Sequence, residues 1–158
     1  MVQIRRFGPS DAKAVSNVIR TTMRISNAAD YPMERLQPLI DYFSPAKVEQ
    51  LSHERDCLVA EEEGEIIGTA ALEGDELVTF FVDPQHQGRG IGSALLEEIE
   101  AIALRHGRRE LKVDASLAGT AFYERHGYER TGHILDGTAG PQISMRKQLR
   151  SGSPTERA

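Results

Sequence analysis

The sequence passes from a predicted strand to a predicted helix through Val82-Asp83-Pro84-Gln85-His86-Gln87-Gly88-Arg89-Gly90-Ile91-Gly92-Ser93. Glycines at alternate positions leave three side chains out of this turn, so main-chain N–H groups can approach a bound oxyanion closely. The helix that begins near Gly90 directs its unpaired N–H groups and the positive end of its dipole to the same place. Arg89 adds a cation. The segment therefore predicts a site for a diphosphate group.

Two common phosphate-binding motifs do not fit this segment. The dinucleotide fingerprint G-x-G-x-x-G would need its third glycine at position 93 or 95, where the chain has Ser93 and Leu95. The nucleoside-triphosphate loop needs Gly-Lys-Ser or Gly-Lys-Thr, which the chain lacks. Two interpretations of the segment remain. It is a phosphate site of another kind, or it is an ordinary tight turn.

Upstream of the turn, the spacing of apolar residues predicts a succession of helices and strands. Val2 and Ile4 alternate with polar residues, as in a short strand. Helical spacing predicts a helix over residues 12 to about 25 and a second helical segment over 33–43, which another helical turn through Val48 and Leu51 follows, with Ser44 as its N-cap. Extended segments over 57–61, 66–72 and 76–82 predict an antiparallel meander of three strands.

Downstream of the turn, the pattern predicts a long helix that ends at His106-Gly107, a strand at 111–113, a short helix over 117–126, and strands near 128–131 and 143–147. This order mixes a meander with one crossover. It favours an α/β fold, with a mixed sheet of the α+β kind flanked by helices, in one domain over residues 1–150. Residues 151–158 are small and polar, and we expect them to form a disordered tail.

Composition and charge narrow the class of protein. The formal net charge is −5, with 24 acidic and 19 basic side chains, so no nucleic-acid partner is expected. No segment approaches the ~20 apolar residues that span a bilayer, so no membrane partner is expected. The single cysteine, Cys57, fits a reducing compartment, and we expect a cytoplasmic protein. The five histidines lack metal-ligand spacing, so no metal is expected.

Another spacing does fit the glycine turn. Gln87-x-x-Gly90-x-Gly92 resembles the Q/R-x-x-G-x-G/A acetyl-CoA signature of the GNAT superfamily of N-acetyltransferases. A second landmark of that superfamily, which follows its fifth strand, is similar to the run Phe122-Tyr123-Glu124-Arg125-His126-Gly127-Tyr128. The resemblance covers nearly the whole chain in the order of its elements. It implies a GNAT-like fold with a mixed, mostly antiparallel central sheet.

The resemblance also implies an activity, that of an acetyl-CoA-dependent N-acetyltransferase acting on a primary amine of a small molecule or peptide, by direct transfer in a ternary complex. In that superfamily the sheet opens after the fourth strand and the pantetheine arm binds main chain there, which corresponds to Phe81 and Val82. A main-chain N–H of one of these two residues is expected to stabilise the oxyanion. Ser116 stands where relatives often carry an asparagine that contacts coenzyme A. The diphosphate is expected on the N–H groups of Gln87, Gly88, Arg89, Gly90, Ile91, Gly92 and Ser93.

Two side chains are candidates for proton transfer. Tyr123 occupies the position of the superfamily's general acid, and its phenol could protonate the departing coenzyme A sulfur. The resemblance also implies that Tyr123 contacts the cofactor. Without the resemblance, we would interpret Tyr123 as an aromatic residue that packs beside Phe122. Glu76 lies near the position where some relatives carry a general base, although its place in a turn fits plain solvation equally well. Glu73, Asp114 or a chain of waters are the alternatives to Glu76.

The sequence says less about the acceptor amine. Residues 27–43 and the loop 136–141 are expected to border its site, because the segment joining the first two helices often shapes specificity in relatives. Two other functions stay open at this point. One is an acyltransferase that uses a longer acyl-CoA or a protein amino terminus, and the other is a coenzyme A-binding module without catalysis. Many relatives form homodimers, so a homodimer is a further expectation.

Overall fold

The strands follow one another in the predicted order, and three α-helices precede the second strand where the sequence predicted two helices and a further helical turn. The computed structural model describes residues 1–134, 136–137 and 139–150. Its strands are β1 (Val2–Arg6), β2 (Asp56–Glu62), β3 (Glu65–Glu73), β4 (Glu76–Val82), β5 (Glu110–Ser116), β6 (Glu129–Ile134) and β7 (Gln142–Gln148). Its helices are α1 (Ala12–Ile25), α2 (Met33–Tyr42), α3 (Pro45–Ser52), α4 (Ile91–Arg105) and α5 (Thr120–Arg125).

The strands form one seven-stranded sheet in the order β1-β2-β3-β4-β5-β7-β6. Neighbouring strands are antiparallel except β4 and β5, which run parallel. The predicted meander is therefore confirmed as β2 to β4, and so is the predicted mixed, mostly antiparallel sheet flanked by helices. The pairing of β4 with β5 covers only Glu76↔Lys112 and Leu77↔Val113. Beyond these pairs the strands part, and we call the opening between residues 78–82 and 114–116 the fork.

A separate hydrophobic core lies on each face of the sheet. The core under α4 includes Leu95, Leu96, Ile99 and Ile102, which are at most 1% exposed. The core on the opposite face includes Val15, Ile19, Leu36 and Ile40 of α1 and α2. These residues recur at helical spacing, and burying each side chain contributes roughly 1.5–3 kcal/mol. Helices thus support β4 from both faces of the sheet beside the fork.

The helix α5 is shorter than its sequence pattern predicted. Residues 117–119 form a turn, and the helix begins at Thr120. Ser116 holds this turn, since its Oγ accepts from the main-chain N–H of Gly119 at 3.2 Å. Its carbonyl also accepts from the Thr120 hydroxyl at 3.1 Å. These bonds give the chain an alternative to a helical turn, which explains the later start.

None of the described helices is long and apolar enough to cross a bilayer. The predicted tail at residues 151–158 lies outside the described residues. The domain boundary at residue 150 stays a prediction.

Candidate active site

The turn between β4 and α4 has a backbone conformation that glycine permits. Gly88 and Gly90 have φ angles of 80° and 82°, and no atom lies within 4 Å of the place of an added Cβ. Gly92 differs, because a Cβ there would lie 3.3 Å from the Phe122 ring. The first two glycines therefore shape the turn, and the third allows α4 to approach α5.

The main-chain N–H groups of this turn are available to a ligand. On one side of it, Gln85 and His86 donate to Asp83, and on the other Ala94 donates to the Gly90 carbonyl. Between residues 87 and 93, no main-chain N–H donates to an acceptor within the described ranges. Several of these groups belong to the start of α4, where the helix dipole favours negative charge. The turn can therefore bind a diphosphate.

The cation predicted from the sequence, Arg89, already has a partner within the protein. Arg89 forms a two-pronged ion pair with Glu62 at the end of β2, with Nη1–Oε1 3.1 Å and Nη2–Oε2 2.6 Å. Arg125 of α5 instead lines the cavity described below, and it has no hydrogen bond or ion pair within the described part of the chain. Sequence reasoning missed Arg125 because only the packing of α5 brings it near the turn.

The histidine that directly follows α5 also reaches the turn. His126 Nε2 lies 2.9 Å from Ser93 Oγ, and its Nδ1 lies 2.9 Å from the Phe122 carbonyl oxygen. Because a carbonyl only accepts, we place the proton of the neutral ring on Nδ1, so Nε2 accepts from the Ser93 hydroxyl. The hydroxyl of Ser93 is thus engaged within the protein, while its main-chain N–H stays available.

A cavity of about 810 Å³ extends from the glycine turn into the fork. Phe122 and Tyr123 line it on the α4 side, and Leu39 and Phe43 line it on the α2 side. The cavity therefore connects the two faces of the sheet. Residues predicted to bind the cofactor that line it are Phe81, Val82, Gln87, Gly88, Gly90, Ile91, Gly92, Ser93, Ser116 and Tyr123.

The edge of β4 at the fork offers main-chain groups at alternate residues. The N–H of Asp83 donates to the Ile67 carbonyl in β3, so the alternation of the antiparallel ladder directs the N–H of Phe81 to β3 as well. Val82 points the other way, and its carbonyl accepts from Gln87 Nε2 at 3.1 Å. Of the two N–H groups expected to stabilise an oxyanion, only that of Val82 faces the fork.

Tyr123 lies in a cluster of aromatic rings and is 5% exposed. Its ring centroid lies 5.9 Å from that of Phe80, 5.3 Å from Phe122 and 5.6 Å from Tyr128. Burial raises the pKa of its phenol, which therefore stays protonated at neutral pH. Its hydroxyl makes no hydrogen bond with a described residue. The hydroxyl oxygen is not fully buried, so a ligand in the cavity can reach it. Tyr123 therefore offers a proton donor that no other described group competes for.

Of the three carboxylates considered as bases, Glu76 and Asp114 lie on opposite sides of the last β4–β5 pair. Glu76 is exposed at the start of β4 and is not part of the cavity lining. The neighbouring protein atoms still remove part of the water around its carboxylate, and this desolvation, followed by the negative charges of Asp114 and Asp75, raises the pKa of Glu76. Asp114 lies beyond the pair and does line the cavity. The structure thus places Asp114 nearer to the fork than the residue preferred from the sequence.

The two segments expected to border the acceptor site are tied together. The Tyr31 hydroxyl donates to the Pro141 carbonyl at 2.6 Å and accepts from the Leu117 N–H at 3.1 Å. Arg35 of α2 donates to Asp136 Oδ1 at 2.8 Å. The segment around α2 therefore meets the loop between β6 and β7 at the side of the cavity.

Covalent catalysis through a thiol has no support in this arrangement. Cys57, the chain's single cysteine, lies in β2 outside the cavity lining, and burial raises the pKa of its thiol. Among the described residues, no three or more His, Cys, Asp or Glu side chains are placed to hold a metal ion.

Sequence comparison identifies related acetyltransferases. Residues 53–130 match the family model described as an acetyltransferase (GNAT) domain. Over 116 residues, the chain is 36% identical to S-(2-succino)cysteine N-acetyltransferase of Bacillus subtilis. This alignment covers 61% of the chain and 68% of that protein.

Solved structures share the fold. A GCN5-related N-acetyltransferase from Rhodopseudomonas palustris superposes with a TM-score of 0.85 at 26% identity, over 93% of this chain and 95% of that one. The PaiA N-acetyltransferase of Thermoplasma acidophilum, solved in complex with coenzyme A, superposes with a TM-score of 0.81 at 22% identity, over 94% and 99% of the two chains.

Proposed function

The chain belongs to the GNAT superfamily and is an acetyl-CoA-dependent N-acetyltransferase, and from this premise we propose that it transfers the acetyl group directly to a primary amine of a small molecule or peptide. The observation that carries the proposal is the cavity that joins the glycine turn to the opposite face of the sheet. Such a cavity lets the acyl donor and the amine be bound at the same time and meet at the fork. Holding both reactants in place supplies much of the rate acceleration.

We assign the phosphate end of acetyl-CoA to the glycine turn. The unpaired N–H groups from residue 87 to residue 93 are its proposed donors, with Arg125 as the cation. The pantetheine arm is assigned to the open edge of β4, where Val82 presents its main-chain groups. Gln87, whose amide donates to the Val82 carbonyl, holds the turn against this edge.

The chemistry divides among a few groups of this chain. Acetyl-CoA supplies the activated acyl group as a thioester. The N–H of Val82 is proposed to stabilise the oxyanion that forms when the amine nitrogen attacks the carbonyl carbon. As the carbon–sulfur bond breaks, Tyr123 donates its proton to the sulfur. Glu76, which is outside the cavity lining, is proposed to take the proton of the amine through water.

Direct transfer is tested by steady-state kinetics and mass spectrometry. We expect intersecting double-reciprocal plots for acetyl-CoA and amine, and an unmodified protein mass after incubation with acetyl-CoA alone. Parallel plots together with stoichiometric acetylation of the protein would contradict direct transfer.

The assignment of Arg125 predicts a difference between two arginines. We expect Arg125→Gln to raise the Kd for acetyl-CoA about tenfold at low salt, since hydrogen bonds to charged groups are worth about 1.5–3 kcal/mol and exposure weakens this one. Arg89→Gln should have a smaller effect, because Glu62 already holds that guanidinium. Calorimetric titration of both variants checks this, and a larger effect of Arg89→Gln would reverse the assignment.

The cytoplasmic location and the homodimer expected from the sequence stay predictions. Light scattering tests the homodimer, which would have twice the chain mass of 17.5 kDa.

A further inference from the structure

Asp114 lies at the point where the sheet opens. The last paired residues of β4 and β5 are Leu77 and Val113, so Asp114 is the first residue of β5 beyond them. Side chains alternate along a strand, and Leu111, Val113 and Ala115 belong to the core under α4. The side chain of Asp114 therefore faces the α1 and α2 side of the sheet, which is opposite to the side of α4.

The carboxylate of Asp114 is held in place by a hydrogen bond, but no described cation is paired with it. Ser144 lies directly opposite on β7, and its hydroxyl donates to Asp114 Oδ1 at 2.9 Å. The nearest basic residue along the strand, Lys112, pairs instead with Asp75 at 3.4 Å and Glu110 at 3.9 Å. Within the described part of the chain, Asp114 has no cationic partner and its Oδ2 has no hydrogen bond.

The rest of this half of the cavity is apolar or neutral. Its apolar lining consists of Met23, Tyr31, Leu36, Leu39, Phe43 and Ala139. Among the described lining residues of α1, α2, β4, β5 and β7, Asp114 is the only one with a formal charge. Arg125, His86 and His126 line the cavity from α5 and from the glycine turn. An acceptor carboxylate on the α2 side would thus meet no cation among these lining residues, and it would lie near the negative charge of Asp114.

We propose that the acceptor is an amine whose ammonium group is its only charge, on an apolar body, and that Asp114 binds this ammonium group. This inference rests on the proposed function and names its class of substrate. The ammonium group can donate to Asp114 Oδ2 while the apolar body packs on Leu39 and Phe43. Loss of a proton through water to Glu76, as in the proposed function, then leaves the neutral amine beside the fork.

The test uses two amines that differ by one charge, 2-phenylethylamine and phenylalanine, with release of the coenzyme A thiol as the measurement. We expect kcat/KM for 2-phenylethylamine to exceed that for phenylalanine at least 10-fold. In Asp114→Asn, kcat/KM for 2-phenylethylamine should fall about 5- to 10-fold, mainly through KM, because a hydrogen bond to a charged group is lost and the exposure of Asp114 weakens it. Asp75→Asn removes a neighbouring charge outside the cavity lining and should retain at least half of the wild-type kcat/KM.

A binding experiment separates recognition from chemistry. Calorimetric titration of the protein saturated with coenzyme A should show binding of 2-phenylethylamine by the wild type and by Asp75→Asn, and weaker binding by Asp114→Asn. Equal kcat/KM for the two amines, or an unchanged Asp114→Asn, overturns the inference while leaving the amine acetyltransferase intact. If acetyl-CoA binds but neither these amines nor a panel of amino acids, polyamines and peptides releases thiol, the proposed function fails, and this inference fails with it.

Discussion

Replacing Tyr123 with phenylalanine is expected to lower kcat about 10²- to 10⁴-fold, the range for loss of a general acid. The affinity for acetyl-CoA should stay within about threefold of the wild type, because the ring that packs on Phe80 and Phe122 is retained. Thiol-release kinetics give the first quantity, and calorimetric titration gives the second.

This substitution is an unusually clean probe, because the fold does not depend on the hydroxyl that it removes. The Tyr123 hydroxyl has no hydrogen bond with a described residue, so its removal leaves no described group without a hydrogen-bond partner. We therefore expect the free energy of unfolding to change by less than about 0.5 kcal/mol, as for substitutions that break no interaction.

Tyr128→Phe is the matched control in the same aromatic cluster. The Tyr128 hydroxyl donates to Glu100 Oε2 at 2.8 Å, on the side of α4. Its loss should lower the free energy of unfolding by about 1–2 kcal/mol with little change in kcat. If the two variants lost activity equally, or if Tyr123→Phe kept the wild-type kcat, Tyr123 would be a packing residue and the proton would come from water.

The second large effect is expected from Gly90→Asp, which should raise the Kd for acetyl-CoA at least about 100-fold. Gly90 is the N-cap of α4, and the space around an added Cβ is open. A carboxylate there would compete for the free N–H groups and repel the diphosphate, and opposed like charges cost several kcal/mol in a complex. Calorimetric titration with acetyl-CoA measures the change.

Gly90→Asn separates charge from shape. Asparagine and aspartate both tolerate the left-handed conformation that Gly90 adopts, so the two variants share the same backbone cost of roughly 1 kcal/mol or less. We expect the asparagine variant to bind acetyl-CoA within about tenfold of the wild type, since it adds no charge. Similar Kd values for the two variants would place the diphosphate elsewhere.

The properties that the sequence determined by itself are those set by neighbours within a few residues. The bounds predicted for β4 agree with the structure, and Ser44 caps α3 by accepting from the N–H of Lys47 at 3.2 Å. The glycine turn was recognised because backbone freedom and helix dipole are local properties. Tyr123 was found through a contiguous motif, and its role stays a proposal. Sequence alone also misplaced the start of α5, because the bonds of Ser116 compete with the helix.

Which groups are left available at the cavity was decided only by the tertiary structure. Arg89 and Glu62 are far apart in sequence, so the ion pair that occupies Arg89 depends on how β2 lies beside the turn. The choice between the N–H groups of Phe81 and Val82 depends on the register of β4 against β3, in which one residue of shift reverses the direction.

The position of Asp114 at the cavity was likewise decided by the pairing of strands that are distant in the sequence. Asp114 faces the cavity because β5 leaves β4 after a single short stretch of pairs and Ser144 approaches from β7. Glu76 precedes that opening by two residues of β4 and stays outside the cavity lining. Local propensity does not encode where two strands part, because the end of their pairing involves residues that are far apart in the sequence. For that reason the sequence determined the class of reaction, while the tertiary structure determined which side chains can take part in it.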